Sequence, residues 1–152
     1  MKIPLPGFAL AISFFTTAFA LAEAPGTYTP DIKVPEISVR QPGRTELVDG
    51  FTKVSFGEVE RQTSSETKTF TIKNTGLATL TGLAITRAGA NKTLFTVSAL
   101  GKTSLAPGKT TTFTVKFKPV FVGFKHAVIR ISSNDSDENP FDIRVSGVGV
   151  KK

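Results

Sequence analysis

Beyond residue 36 the chain alternates apolar and polar residues in short runs broken by turn residues. A period of two sends successive side chains to opposite faces, so each run predicts a half-buried strand. Ile37 and Val39 mark a first strand, and Val54 and Phe56 a second, after the Asp49-Gly50 turn signal. Across Thr67 to Lys73, Phe70 and Ile72 point one way while Thr69, Thr71 and Lys73 point the other. Leu83 with Ile85, then Phe95 with Val97, continue the series. The clearest run is Thr110 to Lys118, where Phe113, Val115 and Phe117 share a face opposite Thr112, Thr114, Lys116 and Lys118. Ala127, Ile129 and Ile131 repeat the pattern, as do Phe141, Ile143 and Val145.

Turn chemistry separates these runs. Asn74-Thr75-Gly76 ends one strand, and Ala106-Pro107-Gly108 fits a type II turn, with proline setting φ and glycine accepting a positive one. Gly123 and the polar stretch from Asn134 to Pro140 mark two further breaks. Eight short strands with frequent turns predict an all-β fold, an antiparallel β-sandwich. Phe56, Phe70, Phe95, Phe113, Phe117 and Phe141 supply its bulkiest inward side chains.

The first 22 residues follow another logic. Lys2 gives a positive start, Phe8 to Phe19 an apolar stretch, and Ala20-Leu21-Ala22 a small-x-small cleavage pattern. These features predict a helical signal peptide, with the cut expected between Ala22 and Glu23. The competing reading is an uncleaved anchor. Residues 5–22 sit near the lower limit for spanning a bilayer, and Ser13, Thr16 and Thr17 dilute them. Either way the remainder is expected outside the cytoplasm: secreted, periplasmic or at the cell surface. Residues 23–35, with Pro25, Gly26, Pro30 and Pro35, read as a Pro-rich linker, leaving 36–150 as the folded domain.

Composition narrows the chemistry. The 152 residues suit one domain, and 39% apolar with 20% charged residues places them in the globular class. The absence of Cys excludes disulfides, thiolate metal sites, a thiol nucleophile and a lipidated N-terminal Cys. Trp is also absent, so aliphatic residues and Phe must hold the core. The formal charge is +7, and removal of Lys2 with the leader leaves 18 basic against 12 acidic residues. Such a balance favours weak, salt-sensitive contact with anionic surfaces such as nucleic acid, acidic glycan or anionic lipid. Because the basic residues are spread along the chain, a solvated surface is the plainer reading.

Five segments, in order, resemble a known module. They are Val54-Ser55-Phe56-Gly57-Glu58-Val59, Phe70-Thr71-Ile72-Lys73-Asn74-Thr75-Gly76, Leu105-Ala106-Pro107-Gly108 leading into Phe113-Thr114-Val115-Lys116-Phe117-Lys118-Pro119, Ser133-Asn134-Asp135, and a closing Gly147-Val148-Gly149. Together they resemble the choice-of-anchor D domain of bacterial exported proteins. That domain is similar to the immunoglobulin-like modules of hydin and the abnormal-spindle proteins, and more distantly to major sperm protein. The resemblance covers roughly residues 36–150. It implies an immunoglobulin-like sandwich of seven to eight strands without enzymatic activity. Such modules usually sit in larger surface proteins with a C-terminal anchor. Here Val150-Lys151-Lys152 follows the last strand directly, so free secretion or periplasmic residence is expected over covalent attachment. The eukaryotic relatives are ciliary and centrosomal, a location the leader argues against.

Candidate chemistry is sparse. His126 is the only histidine, which excludes zinc sites built on paired His. A Ser-His-Asp arrangement draws its partners from anywhere in the chain, but no nucleophile-elbow pattern accompanies this one, and His126 reads as a solvent-facing strand residue. Gly101-Lys102-Thr103 and Gly108-Lys109-Thr110 look like the end of a phosphate loop. The required earlier glycine is replaced by Thr96 and Thr103, so both are turn residues entering strands. Asn134 to Asn139 groups oxygens of the kind Ca²⁺ takes, with Asp135, Asp137 and Glu138 as candidate ligands. The EF-hand spacing fails, which favours an acidic hairpin tip. Asn91-Lys92-Thr93 and Asn134-Asp135-Ser136 fit glycosylation acceptors, relevant only in a eukaryotic secretory pathway. Lys116-Phe117-Lys118 interleaves cations with an aromatic ring, but period two sends Phe117 inward, away from any base.

The sequence therefore predicts a non-catalytic, cofactor-free exported module that binds a protein or glycan at the cell envelope through a sheet edge or the loops at one end. The alternatives are a spacer without a specific ligand and an accessory domain of a glycan or hydrolase system. Specific nucleic-acid binding is not expected, nor is stable membrane insertion once the leader is gone. Nothing in the sequence sets the oligomeric state.

Overall fold

The alternating runs become two stacked layers. The computed structural model describes residues 33–43 and 45–152. The leader, its Ala22–Glu23 cut and the linker as far as residue 32 lie outside the described residues. Nine strands form among the described residues: β1 (Ile37–Gln41), β2 (Thr45–Glu46), β3 (Lys53–Glu60), β4 (Lys68–Asn74), β5 (Ala84–Ala88), β6 (Phe95–Val97), β7 (Thr110–Phe117), β8 (Gly123–Ser132) and β9 (Phe141–Val150). Eight correspond to the alternating runs. The ninth, β2, is two exposed residues with no alternation to reveal them.

One sheet runs β2-β1-β4-β7-β6 and the other β3-β9-β8-β5. This is the expected immunoglobulin-like sandwich, with one ladder that alternation does not report. β3 pairs with β9 in parallel, while the other ladders are antiparallel. A period of two fixes which face a side chain takes and says nothing of strand direction. The β3–β9 register shifts between Ser55 and Glu58, where Gly57 adopts a φ of 67° and makes a bulge. The Ala106–Gly108 turn closes as its residues require, Lys109 N–H donating to the Ala106 carbonyl at 3.0 Å.

All six inward phenylalanines are buried. Phe70 and Phe113 face each other across β4 and β7, with ring centroids 5.0 Å apart, and Phe95 and Phe117 do the same across β6 and β7 at 4.8 Å. Phe56 reaches from the opposite sheet to meet Phe95 edge-on at 5.8 Å, which ties the layers together. Leu47, Val59, Leu80 and Leu105 join the core from outside the alternating positions, whereas Ile85 and Val97 are only partly buried against it.

Phe117 lies where β9 carries no side chain. A Cβ on Gly147 would stand 2.5 Å from the Phe117 ring, far inside van der Waals contact. Gly147→Ala is therefore expected to destabilise the domain by about 1–3 kcal/mol, since a packed core must shift to admit it. Phe117→Leu should recover part of that loss in the double variant. Urea unfolding of the two single variants and the double checks this, and strictly additive losses would count against the contact.

Candidate functional site

The Asn134–Pro140 connection joins β8 to β9, and Asp135 departs from the expected solvated tip. It is 1% exposed. Its Oδ2 accepts the Ile37 N–H at 2.8 Å, so the carboxylate closes the otherwise unpaired start of β1. Its own N–H is held by the Ser133 hydroxyl at 3.1 Å. Asp137 is exposed, as a hairpin tip should be, and Glu138 is part-buried.

The fold adds a residue that spacing along the chain did not suggest. Glu36, just before β1, brings a carboxylate oxygen within 4.8 Å of those of Asp135 and Asp137. Glu138 lies outside that trio but within reach of its charge. Burial, followed by repulsion from Glu36, Asp135, Asp49 and Asp137, pushes its carboxyl up to about 7. Burial, then Asp135 and Asp137, also raises Glu36. A hard divalent cation needs six or more oxygens around it. Here Asp135 accepts the Ile37 N–H on one oxygen and, at 3.4 Å, the Asp137 N–H on the other, and so acts as a clamp on the fold.

Asn74 completes this end of the sandwich. It is fully buried, and its Nδ2 donates to the carbonyls of Ala78 at 2.7 Å and Leu105 at 2.8 Å. Its Oδ1 accepts the N–H of Gly76 at 3.0 Å and of Glu36 at 3.5 Å. One side chain thus satisfies backbone groups from three segments. Residues 33–35, read from sequence as the end of the linker, are also tied here, since the Val34 carbonyl accepts N–H groups from Leu77 at 2.9 Å and Ala78 at 3.1 Å.

His126 stands exposed on the outer face of β8, its ring stacked on Phe124 with centroids 6.0 Å apart. The two rings border a groove of about 550 Å³ with Lys53 and Arg144 on its far side. A face of this kind offers aromatic surface and exposed cations. Phe117 is buried, so the Lys116-Phe117-Lys118 segment presents no ring to a base. At the end opposite the carboxylates, the β7–β8 connection exposes Val120, Phe121 and Val122 beside Phe124. Sequence reading registered only the Gly123 break there, because an apolar run in a turn has no period to mark it.

A model of the abnormal spindle-like microcephaly-associated, ASPM-SPD-2-Hydin (ASH) domain matches residues 48–139, more than half of the chain. The chain belongs to the ASH family. The resemblance read from the five segments is thereby borne out. Among solved structures, this ASH domain is similar to the ASH/PapD-like domain 7 of human CEP192, with 12% identity and a TM-score of 0.51 over 98% of this chain and 99% of that one. It is also similar to a Porphyromonas gingivalis W83 protein of unknown function, with 16% identity and a TM-score of 0.53 over 78% and 68% of the two chains. A family 123 glycoside hydrolase from Clostridium perfringens shares the fold at 7% identity and a TM-score of 0.52. The match covers 66% of this chain and 23% of the hydrolase. No curated protein matches the sequence itself. At these identities the neighbours establish the fold alone, an ASH/PapD-like sandwich.

The crowded carboxylates give the domain a pH dependence of known sign. Glu138 ionises near 4.5 when unperturbed and near 7 in the fold, so the folded state holds the proton more tightly. Its contribution to stability is present below about 4.5 and is lost as pH rises through about 7. Glu138→Gln is expected to stabilise the domain at pH 8 by an amount on the order of 1 kcal/mol after solvent screening of this part-exposed group, and so to raise its melting temperature. The gain should fade toward about pH 4, where the native carboxyl is itself neutral. Melting curves of both forms across this range decide it, and a pH-independent difference would contradict the assignment.

Proposed function

We propose that this ASH domain is an exported, non-catalytic module that binds a protein or glycan partner at the cell envelope. The family supports the binding role, and the leader read from the sequence supports export. The observation that carries the reading is the outer edge of β5, which among the described residues bears a ladder to β8 on one side only.

The other three edges are guarded. β3 is broken by its bulge and carries Lys53, Glu58 and Glu60, β6 has three residues, and β2 has two. Bulges, charges and short length are the devices by which native sheets repel incoming strands. β5 runs five residues without a bulge in its ladder, and Ala84 and Ala88 leave room beside its backbone. Arg87 braces it, with Nη1 donating to the Phe95 carbonyl on β6 at 2.7 Å, so the edge is anchored to the opposite sheet. An extended segment adding to this edge gains backbone hydrogen bonds for affinity and side-chain contacts for selectivity.

Capture of partners from an envelope extract by the purified domain tests the idea. The double variant Ala84→Lys, Ala88→Lys should retain its melting temperature and lose the captured partner by roughly tenfold or more. Undiminished capture by that variant would remove the β5 edge from the account.

A further inference from the structure

We propose that the end of the sandwich formed by the β7–β8 connection docks reversibly on a bilayer surface rich in anionic headgroups, with Phe121 as the inserting side chain. Residues 118–124 read Lys-Pro-Val-Phe-Val-Gly-Phe. Of the eight large apolar side chains exposed among the described residues, four are here: Val120, Phe121, Val122 and Phe124. Such clustering separates this patch from the scattered exposure any surface carries. Phe121 is 72% exposed and Phe124 65%.

The tip is held in place. Pro119 is buried, and its carbonyl accepts the Gln62 N–H at 2.7 Å. Lys125 Nζ donates to the Val122 carbonyl at 3.1 Å. A Cβ on Gly149 would meet the Phe121 carbonyl oxygen at 2.3 Å and the Pro119 Cβ at 3.0 Å, so the loop backbone rests directly on β9. A backbone fixed in this way presents its rings outward with little ordering left to do on binding.

Charge selects the partner. Lys118 and Lys125 flank the tip in sequence, Lys151 and Lys152 follow the end of β9, and Arg61 joins them through its N–H bond to the Val150 carbonyl at 3.0 Å. Glu58, Glu60 and Glu66, which line one groove on this side of the domain, offset part of this charge, while the carboxylate trio of Glu36, Asp135 and Asp137 occupies the opposite end. Four of the five cations are lysines, compact point charges that suit a fluid array of phosphates better than the fixed, bidentate carboxylates of a protein site. An apolar knob ringed by lysines matches the boundary between headgroups and acyl chains, where each basic residue adds attraction and the rings add burial.

The chain lacks Trp, so Phe121→Trp creates a single fluorescent reporter at the tip. Its emission should shift to the blue with vesicles of phosphatidylcholine and phosphatidylglycerol, stay unshifted with phosphatidylcholine alone, and return in high salt. Leu77→Trp, at the exposed far end, should stay unshifted throughout. The reporter reads the tip itself, so attachment through any other part of the chain leaves it unchanged. In co-sedimentation, Phe121→Ser should weaken vesicle affinity roughly tenfold and Lys151→Gln or Lys152→Gln roughly fivefold each, all with unchanged melting temperatures. An unshifted Phe121→Trp emission with the anionic vesicles overturns the proposal, as does full binding by Phe121→Ser. A blue shift induced by envelope proteins and by no vesicle assigns the tip to a protein partner and equally overturns it.

Discussion

The ring of Phe117 occupies the space that Gly147 leaves empty, and the spacing of the two sheets depends on that contact. Two residues further along each strand the arrangement repeats in backbone form, as the chain from Pro119 to Phe121 lies against Gly149. The closing Gly147-Val148-Gly149 is thus a seat with two places. The first receives a core side chain, the second the loop that leaves β7. Because β9 is central, paired with β8 on one side and β3 on the other, the seat is itself held on both flanks. Hydrophobic packing in the interior and the position of an exposed tip are consequences of the same strand.

At the opposite end polar groups do the holding. Asn74 and Asp135 are buried and fully engaged, each accepting or donating to backbone groups that the sheets leave unpaired. A buried polar side chain that lost those partners would carry a desolvation cost, so the connections around them are fixed to one arrangement. The gathering of Glu36, Asp135, Asp137 and Glu138 follows from this fixing, and burial with the repulsion of those neighbours shifts the Glu138 carboxyl upward.

Alternation read the strands well because a half-buried strand must alternate, and the residues from Phe113 to Phe117 or Ala127 to Ile131 had no other way to hide their apolar faces. Leu80 and Leu105 escaped it. They meet as a single bridge between loops, where no neighbouring residue supplies a period. The parallel pairing of β3 with β9 escaped too, since direction leaves no mark on which residues are apolar. Asn74 was legible as a turn residue through its Asx geometry with Gly76, but its reach to Leu105 depends on tertiary approach. For the same reason Glu36 could not be joined to Asp135 from spacing, their separation along the chain being closed only when β1 docks. Phe121 and Phe124 went unread beside the Gly123 break because nothing in a sequence says which side of a turn faces water.

The two ends therefore divide the work of the domain, one locked by buried polar groups and the other presenting apolar and cationic side chains from a fixed backbone. Everything about the second end rests on Gly149 accepting the loop. Amide hydrogen exchange of Gly149→Ala tests this most directly. Protection should persist through β4, β7 and β8 while the Gln62 amide, released from the Pro119 carbonyl, exchanges much faster than in the native protein. Native protection at Gln62 in a variant of undiminished stability would show that the loop does not depend on that seat.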